Sequence, residues 1–551
     1  MSSKLFHRKI LENSLRFGTG VALTDAETGE QLTFNELRRR SHILANYLHG
    51  EYGIGKGDVI ICYMPNNIYY PIAFLAAALV GASKTGVNPE FKSNELADYI
   101  KKTKCRCIFT TSELLDNVVK ALKGSNFPIL VIGKLGGQLG IDLERILAES
   151  KDGCEDGKWD ANVDEQDILL TPLSSGTTDK LYCVYQLAIF DKISEGGGRR
   201  TTIAFLPFYH ASGFWALCYC LLTGHHSVVM QRFQAPLLLS CIEDYKVDTL
   251  NLVPAIVSFL LKNDALIKEF DLSSVRIVLC GSAPISRDLT QKFLERYSHV
   301  TNFVHVAGYG STELVALSHL TPLELPLDDT KHVTSCGQLL PRFECKVIDL
   351  ANGEEIHKPL ERGELWLRSE SIMKGYLNDV EGTRQCLDAD RWYHSGDIVF
   401  FDEDRYFYVV DRIKNIIKVN GMQVSPLELE SLLLEHENVI EASVVGTSMD
   451  GFGEVPRAFV ALKHGASDKE KTGKELIKFV NDRVASHKHL RGGLFILPSL
   501  PKSAAGKVLR EELKHWDSTF HLNSAQQLLP VFETLNLQVE QNNDNGSETF
   551  L

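Results

Sequence analysis

The stretch VIICYMPNNIYYPIAFLAAALVG, residues 59–81, sets a short apolar run directly before a longer apolar run with helical character. Pro65 separates the first run, VIICYM, from the second. The alternation continues in four further stretches: CRCIFT (105–110), ELLDNVVKAL (113–122), FPILVIG (127–133) and DLERILAES (142–150). Because short buried strands that alternate with helices are typical of parallel sheets, this region predicts α/β layers with mostly parallel strands.

An amphipathic helix is predicted upstream, over FNELRRRSHILANYL from Phe34 to about Leu48, because its apolar residues recur at helical spacing. Thr33 stands at the N-cap and Glu36 follows three residues later, a pattern that indicates a capping box. The strand and helix alternation resumes in VDTLNLVPAIVSFLLK and VRIVLCGSAPISRDLTQKFLERY. Between these regions, residues 150–160 are expected to form a loop.

A change of pattern near residue 335 indicates a different layer. The segments CKVIDL, GELWLRS and YFYVVDR are rich in β-formers and separated by turn residues, which predicts a small antiparallel, barrel-like subdomain over about 335–410. After Arg412, two helical and two strand-like segments predict a separate unit. The predicted fold is therefore α/β. It has a large N-terminal domain of layered subdomains (1–412), a smaller mobile α+β domain (413–520) and a polar tail (521–551) expected to be partly disordered.

Composition excludes several classes of protein. The 551 residues carry 58 Lys and Arg against 71 Asp and Glu, a net charge of −13, and 44% are hydrophobic. This apolar content is too high for a disordered chain, and an acidic surface repels phosphate backbones, so we expect a globular protein with no nucleic-acid partner. The twelve cysteines form no C-x-x-C pair, which favours buried, reduced thiols over metal ligands.

Targeting signals are not evident. The start, MSSKLFHRKILENSLRFG, lacks the apolar core of a signal peptide, and the most apolar stretches, near 72–80 and 213–222, are too short to span a bilayer. The last residues, Thr549-Phe550-Leu551, differ from the Ser-Lys-Leu peroxisomal address. These observations predict no transmembrane segment and a cytoplasmic location, with association with an organelle left open.

The segment LSSGTT, residues 173–178, surrounds a glycine with hydroxyls and follows a strand-like run. Its backbone N–H and side-chain O–H groups suit a polyphosphate, although an ordinary turn has the same composition. The segment YGSTE, residues 309–313, offers an aromatic plane, a tight turn, two hydroxyls and a carboxylate. Such a group can stack on a purine, contact its phosphate and hold a hard cation. The alternative is a glycine turn with a helix cap.

Two later segments add charged groups. In YHSGD, residues 393–397, Asp397 can accept hydrogen bonds from ribose hydroxyls, and Arg412 can lie beside it; the alternative is a β-turn with a surface ion pair. In LPKSAAGKVLR, residues 500–510, Lys507 follows a glycine in a short loop of small residues. It is either a mobile cation that reaches a partner site or part of a solvated charge run. The motifs of P-loop NTPases, Rossmann dehydrogenases and α/β-hydrolases are absent from the sequence.

In this order the four segments resemble the adenylate-forming superfamily of AMP-binding enzymes, which includes acyl-CoA synthetases, 4-coumarate-CoA-ligase-like enzymes, peptide-synthetase adenylation domains and firefly luciferases. The resemblance extends from about Thr33 to Leu513. It includes six further segments: LPFYHASG (206–213), VPAIVSFL (253–260), CGSAPIS (280–286), ERGELWLRS (361–369), MKGYLN (373–378) and FDEDRYFYVVDRIKNIIKVNGMQVSPLELE (401–430).

The resemblance implies an ATP-dependent acyl-CoA synthetase that activates a fatty or aromatic carboxylic acid. In the first step the acid attacks the α-phosphorus of ATP and forms an acyl-adenylate; in the second a thiol attacks the adenylate. GMQVSPLELE resembles the CoA ligases more than the peptide synthetases, which favours free coenzyme A as the acceptor. ATP, Mg²⁺ and coenzyme A are therefore the expected cofactors.

The resemblance also assigns roles to residues. Lys507, His210 and Glu313 are the expected catalytic residues, with Glu313 as the Mg²⁺ ligand and Lys507 between the acyl carboxylate and the phosphate. The expected ATP and AMP contacts are Ser174, Ser175, Gly176, Thr177, Thr178, Tyr309, Gly310, Thr312, Asp397, Arg412 and Lys507. The expected acyl pocket is formed by His210, Gly281, Ser282, Ala283 and Gly308. Lys414 is the expected hinge of the C-terminal domain, and Gly421 is expected on the coenzyme A side. Without the motif, His210 would be interpreted as a core histidine.

One segment departs from the family pattern. After Ser-Ser-Gly-Thr-Thr the family continues Gly-x-Pro-Lys-Gly, whereas residues 179–183 read DKLYC, so Tyr182 stands where the lysine is usual and Asp179 replaces a glycine. Losing a cation beside a polyphosphate weakens the first step. A catalytically impaired paralogue that binds nucleotide or acyl ligands is therefore the alternative function, and luciferase-like oxygenation is a third.

Overall fold

The computed structural model describes these residues: 5–124, 128–135, 139–149, 163–172, 182–185, 198–281, 287–304, 308–315, 317–322, 331–332, 334–420, 422–449, 453–463, 469–502, 508–516 and 530–531. The chain divides into two compact units. The larger unit comprises Met1–Val410 with the segment Lys502–Lys507, and the smaller comprises Asp411–Pro501 with Val508–Leu551.

The helices of the larger unit, in chain order, are α1 (Phe6–Phe17), α2 (Phe34–Tyr52), α3 (Tyr70–Leu79), α4 (Ser93–Thr103), α5 (Leu115–Leu122), α6 (Leu143–Glu149), α7 (Ala211–Thr223), α8 (Ala235–Asp244), α9 (Pro254–Lys262), α10 (Asp264–Ile267), α11 (Arg287–Arg296) and α12 (Val380–Cys386). Those of the smaller unit are α13 (Pro426–Leu434), α14 (Lys469–Asn481) and α15 (Arg510–Lys514).

The strands, in chain order, are β1 (Val21–Asp25), β2 (Gln31–Thr33), β3 (Val59–Tyr63), β4 (Ser83–Val87), β5 (Cys107–Thr111), β6 (Ile129–Ile132), β7 (Ile141–Asp142), β8 (Ile168–Leu170), β9 (Tyr182–Tyr185), β10 (Thr201–Ala204), β11 (His226–Val229), β12 (Thr249–Leu252), β13 (Ile277–Cys280), β14 (Asn302–Val304), β15 (Gly308–Tyr309), β16 (His319–Leu320), β17 (Gln338–Leu339), β18 (Glu344–Ile348), β19 (Gly363–Arg368), β20 (Gly375–Tyr376), β21 (Tyr393–Phe401), β22 (Phe407–Arg412), β23 (Ile417–Val419), β24 (Met422–Val424), β25 (Val439–Met449), β26 (Gly453–Leu462), β27 (Leu494–Leu497) and β28 (Pro530–Val531).

Two large sheets form the body of the larger unit. One has eight strands in the order β20-β9-β8-β4-β3-β5-β6-β7, parallel from β8 to β7, and its central strand β4 places Lys84 between Ile60 and Leu170. The other has seven strands in the order β14-β13-β12-β10-β11-β1-β2, and only β2 is antiparallel. The parallel α/β layers predicted from the alternating segments are confirmed.

The main hydrophobic core of the larger unit is built on helices that are apolar on most sides. All ten residues of α3 are buried, and α7 buries eight of its thirteen. The two helices meet through Phe74 and Phe214, whose ring centroids lie 4.9 Å apart with an edge-to-face angle of 88°. The short apolar stretches that the sequence analysis judged unable to span a bilayer are thus interior helices.

The predicted capping box is present at the start of α2. Thr33 Oγ1 accepts a hydrogen bond from the Glu36 backbone N–H at 3.2 Å, and Glu36 Oε2 accepts one from the Thr33 N–H at 2.9 Å. None of the helices in the described ranges has both the length and the apolar character needed to cross a bilayer. The cysteines with described side chains are free thiols, eight of them buried. The predicted loop at 150–160 lies outside the described residues.

The β-rich region after residue 335 forms a four-stranded sheet in the order β18-β19-β21-β22, with antiparallel pairing of β18 to β19 and of β19 to β21. A three-stranded antiparallel sheet, β15-β16-β17, precedes it. In the smaller unit, β25 and β26 form a long antiparallel pair, and β27 lies parallel to β26. Helices α13 and α14 pack on that sheet through Leu433 and Leu476, among others. The mixed α/β fold, with a large N-terminal and a smaller C-terminal domain, is confirmed.

Candidate functional site

Tyr309 lies on a short strand whose partner supports its ring. β15 pairs with β16 so that Tyr309 faces His319, with ring centroids 5.8 Å apart. Burial lowers the pKa of His319 to about 3, so this supporting ring is neutral. A Cβ on Gly308 would lie 2.4 Å from the His319 carbonyl oxygen, so only glycine allows the two strands to approach this closely.

Asp397 lies beside Tyr309 on strand β21, where the pairing with β19 shifts register. Its backbone N–H donates to Ser395 Oγ at 3.1 Å, and Gly396 has a left-handed φ of +69°. Gly396 N–H donates in turn to Glu364 Oε1 at 3.0 Å. These contacts fix the Asp397 carboxylate, which is 4% exposed, where Oδ2 accepts the Tyr309 hydroxyl at 2.5 Å. The structure therefore brings together an aromatic ring and a carboxylate that the sequence predicted to bind adenosine.

Glu313 follows Tyr309 at the start of a tight turn and is partly buried. Its Oε1 accepts a hydrogen bond from the Tyr376 hydroxyl at 3.4 Å, and its carbonyl oxygen accepts the Met373 N–H at 2.8 Å. The MKGYLN segment thus positions the predicted metal ligand, a role for Tyr376 that the sequence analysis did not predict. Carboxylate oxygen suits Mg²⁺, so the donor set present fits this ion.

His210 is the N-cap residue of α7. Its Nδ1 accepts the Ser212 backbone N–H at 3.3 Å and lies 3.0 Å from Ser212 Oγ. Because Nδ1 serves as the acceptor, the neutral ring carries its proton on Nε2. The imidazole is thereby oriented by the helix that follows it.

A small cavity of about 10 Å³ lies beside His210. Its lining residues are Lys84, Gly86, Leu170, Pro172, Phe208, Tyr209, His210, Ala211, Phe214, Trp215 and Thr312. Gly86 permits this packing, because a Cβ there would lie 2.5 Å from Tyr209 Cα. Two residues from separate predicted motifs, His210 and Thr312, therefore line one cavity in the larger unit.

Lys84 was not singled out in the sequence. It is 3% exposed, and its Nζ lies 4.2 Å from the Tyr70 ring centroid and 4.4 Å from that of Phe214. Burial lowers the pKa of Lys84 to about 8. The sequence gives no local signal for this burial, because the strand SKTGV is polar in composition.

The remaining predicted residues of the larger unit fall into two groups. Gly281 is described, and no atom of the other described residues, its chain neighbours apart, lies within 4 Å of where its Cβ would stand. Gly310 is described and exposed. Nine predicted residues lie outside the described residues: Ser174, Ser175, Gly176, Thr177, Thr178, Ser282, Ala283, Gly421 and Lys507.

In the smaller unit, Arg412 and Lys414 are exposed and follow a buried carboxylate that anchors their segment. Asp411 Oδ1 accepts the Arg412 N–H at 2.7 Å, and Oδ2 accepts Ser425 Oγ at 2.8 Å and Leu427 N–H at 3.2 Å. Asp411 therefore ties the segment of the predicted hinge to the start of α13. The sequence analysis assigned no role to Asp411.

Pro501 and Leu509, which flank the segment that contains Lys507, are joined within the smaller unit. Leu509 N–H donates to the Pro501 carbonyl oxygen at 2.9 Å. Arg510 then donates from Nη2 to both oxygens of buried Glu430, at 2.6 and 2.8 Å. A bidentate pair of this kind fixes direction as well as distance. The flanking residues are thus joined to each other and, through Arg510, to α13.

Comparisons with known proteins agree with this geometry. The sequence model of the AMP-binding enzyme family matches residues 12–377, and that of the AMP-binding enzyme C-terminal domain matches residues 428–507. The chain is 35% identical over 505 residues to peroxisomal OPC-8:0-CoA ligase 1 of Arabidopsis thaliana, covering 90% of each chain. It is 31% identical over 523 residues to 4-coumarate-CoA ligase 1 of Narcissus pseudonarcissus, covering 92% of this chain and 93% of the other.

A solved benzoate CoA ligase from Burkholderia xenovorans LB400 has the same fold. Its TM-score is 0.79 at 22% identity, with 93% of this chain and 99% of the other covered. The two family matches together span most of the chain. The chain belongs to the AMP-binding enzyme family.

Proposed function

We propose that the protein is an ATP-dependent carboxylic acid–CoA ligase that forms an acyl-adenylate and transfers the acyl group to coenzyme A. The observation that carries the proposal is the contact between Tyr309 and Asp397, beside Thr312 and Glu313. Family membership and the CoA-ligase names of the relatives support it. Fatty and aromatic acids are the proposed substrate classes.

In the proposed first step an acid oxygen attacks the α-phosphorus of ATP and the bond to pyrophosphate breaks. Tyr309 stacks on adenine with Gly310 beside it, Asp397 and Arg412 bind the ribose, and Thr312 donates to the phosphate. The hydroxyls of Ser174, Ser175, Thr177 and Thr178, around Gly176, bind the departing phosphates. Two anions meet in this step, so positive charge is needed where the negative charge builds up, and Lys507 supplies it.

Glu313 is the proposed ligand of Mg²⁺, which when bound neutralises charge on the phosphate oxygens. The Tyr376 hydroxyl, 3.4 Å from Glu313 Oε1, orients the carboxylate for this role. Removing the carboxylate charge while keeping the shape, as in Glu313→Gln, is therefore expected to reduce pyrophosphate release without loss of folding.

In the proposed second step the thiol sulfur of coenzyme A attacks the acyl carbonyl carbon, and the carbon–oxygen bond to AMP breaks. His210, oriented by Ser212, borders the acyl carbonyl and the approaching thiol. Rotation of the smaller domain about Lys414 is proposed to withdraw Lys507 and present Gly421. The acyl body is proposed to lie along Gly281, Ser282, Ala283 and Gly308, where small side chains leave room.

The test is product formation by the purified full chain. Protein is incubated with MgATP, coenzyme A and a panel of fatty and aromatic acids, and AMP, pyrophosphate and acyl-CoA are quantified. The proposal predicts equal amounts of the three products with at least one acid. Bound ATP without turnover of any acid would contradict it and favour the impaired paralogue.

Lys507→Ala separates the two steps. We expect it to abolish adenylation but to spare thioester formation from a supplied acyl-adenylate, because the lysine stabilises charge only in the first step. Lys463→Ala, which removes an exposed lysine of the same domain, is the control. Equal loss of both steps would contradict the role of Lys507.

The cytoplasmic location stays a prediction, with association with an organelle as the alternative. Fractionation of cells that express the tagged full chain tests it, since the peroxisomal name belongs to the Arabidopsis relative.

A further inference from the structure

A buried lysine without a carboxylate partner lines the cavity beside His210. Lys84 is on the central strand β4, and the part of the chain that the structure describes gives its ammonium no hydrogen bond and no ion pair. An ammonium has three N–H donors and no acceptor, so full burial leaves donors that need an oxygen. A side chain of this kind is costly in a core, which points to a functional reason for its presence.

The rings around Lys84 compensate its charge only in part. Its Nζ lies near the faces of Tyr70 and Phe214, at 4.2 and 4.4 Å from their centroids. Ring faces attract a cation but are poor hydrogen-bond acceptors. Burial still lowers the pKa of Lys84 to about 8, so the amine is mostly protonated at neutral pH, and no oxygen of the described residues accepts a hydrogen bond from it.

The ammonium faces the proposed reaction site. Lys84 and Gly86 alternate with Thr85 along β4, so both point to the face where Tyr209 packs against Gly86. On the opposite face Thr85 Oγ1 donates to the Thr171 carbonyl oxygen at 2.6 Å. Lys84 thus lines the same cavity as His210 and Thr312.

We propose that Lys84 binds a second carboxylate on the acid substrate, so that the enzyme prefers a short dicarboxylic acid over a monocarboxylic acid of the same length. The proposal rests on the proposed function, since His210 and Thr312 mark the end of the site where the reacting carboxylate lies. Lys84, His210 and Thr312 line one cavity, so a carboxylate bound at Lys84 would lie close to the reacting carboxylate. Only an anion supplies both the charge and the acceptor oxygens that the buried ammonium lacks.

The first experiment uses the wild-type chain. The ratio kcat/KM is measured by pyrophosphate release for matched pairs of acids: succinate with butyrate, glutarate with pentanoate, and adipate with hexanoate. A charge-assisted hydrogen bond to the distal carboxylate predicts a preference of about tenfold to a hundredfold for the diacid in at least one pair. A preference for the monoacid in every pair would overturn the proposal.

Variants at Lys84 then test whether its ammonium causes the diacid preference. Lys84→Met keeps length and removes the charge, so we expect it to reverse the diacid preference at least tenfold and to raise activity on the monoacid. Lys84→Gln keeps a donor without the charge and should give an intermediate ratio. Lys102→Met, which removes an exposed lysine of α4, should leave both ratios within twofold of wild type.

Two further results keep this inference distinct from the proposed ligase activity. If monoacids are activated and Lys84→Met leaves the acid ratio unchanged, the ligase stands and the role of Lys84 is wrong. The same conclusion follows if only the KM for coenzyme A changes. If no acid is activated, thermal unfolding with added succinate, glutarate or adipate tests binding directly. Stabilisation of wild type but not of Lys84→Met would support the inference, and no stabilisation of either would overturn it.

Discussion

The hydroxyl of Tyr309 donates a 2.5 Å hydrogen bond to Oδ2 of Asp397, although 88 positions separate the two residues in the chain. The contact joins the three-stranded sheet to the four-stranded sheet within the larger unit, so that the ring and the carboxylate proposed for adenosine form one assembly. Since a carboxylate can accept about four hydrogen bonds, the tyrosine leaves acceptor capacity for ribose hydroxyls. The contact therefore orients Asp397 and does not replace its proposed ligand.

Tyr309→Phe tests this orientation. The ring that is proposed to stack on adenine is retained, and only the hydrogen bond to Asp397 is lost, so we expect the KM for ATP to rise about tenfold with a smaller change in kcat. Tyr245→Phe, elsewhere in the larger unit, is the control, because the described residues give its hydroxyl no hydrogen bond. Steady-state kinetics at saturating acid and coenzyme A make the comparison. A KM for ATP unchanged within twofold would show that the contact is dispensable.

The sequence predicted the helices and strands better than the contacts between them. Alternating apolar segments and the Thr33 and Glu36 pair are local signals, and the structure confirms both. The contact of Tyr309 with Asp397 depends on how two sheets pack, which local periodicity does not encode. Motif order was needed to associate the two residues, and the role of Tyr376 beside Glu313 was missed because a single tyrosine in MKGYLN carries no local signal.

Arg510 and Glu430 are predicted to position the loop that contains Lys507. Arg510→Met leaves a buried carboxylate without its cation, and we expect a loss of about 3 kcal/mol in the free energy of unfolding. Adenylation should fall about tenfold, while thioester formation from a supplied adenylate falls less. Lys474→Met is the matched control, because it removes an exposed ion pair with Glu470 that contributes about 0.5 kcal/mol or less. Full adenylation by Arg510→Met would show that Lys507 is positioned by other contacts.

Asp411 is predicted to stabilise the smaller unit through its hinge-side contacts. Both carboxylate oxygens accept hydrogen bonds from N–H or O–H groups. In Asp411→Asn, either orientation of the amide therefore points its N–H₂ group at one of these donors, and that hydrogen bond is lost. We expect a loss of about 2 kcal/mol, measured by denaturant unfolding. Asp349→Asn is the control, since only Oδ1 of Asp349 accepts hydrogen bonds in the described residues and its other oxygen can become the amide nitrogen. Equal stability of the two variants would refute the anchoring role.

Lys84 shows why some of the site could not be predicted from the sequence. The strand SKTGV has a polar composition, typical of a loop or an exposed edge, yet all five of its residues are buried. The reason is topological: β4 is a central strand between β3 and β8, covered on both faces. The order of strands in a sheet decides this burial, and the residues of one strand do not reveal it.

The same lysine gives the stability of the apo protein a defined pH dependence. Burial lowers the pKa of Lys84 from its ordinary value of 10.5 to about 8. Below pH 8 the lysine is charged in both states, but the charge is buried only in the native state. Its burial lowers the free energy of unfolding by about 3 kcal/mol. Between pH 8 and 10.5 the unfolded state binds more protons, so the free energy of unfolding of wild type rises with pH. Lys84→Met should therefore be more stable than wild type at pH 7, and its advantage should shrink by pH 9.5.

The groups that face the Lys84 amine do not obscure this comparison. Burial raises the pKa of Cys62 to about 11 and raises those of Tyr70 and Cys218 well above their ordinary values, so these groups stay neutral up to pH 9.5. Urea unfolding of both proteins at pH 7 and 9.5 gives the difference, and Lys102→Met should show no such change. A Lys84→Met advantage that is equal at the two pH values would mean that its origin is packing. The ammonium would then be satisfied in the apo protein, and the reason for expecting a substrate carboxylate beside it would be lost.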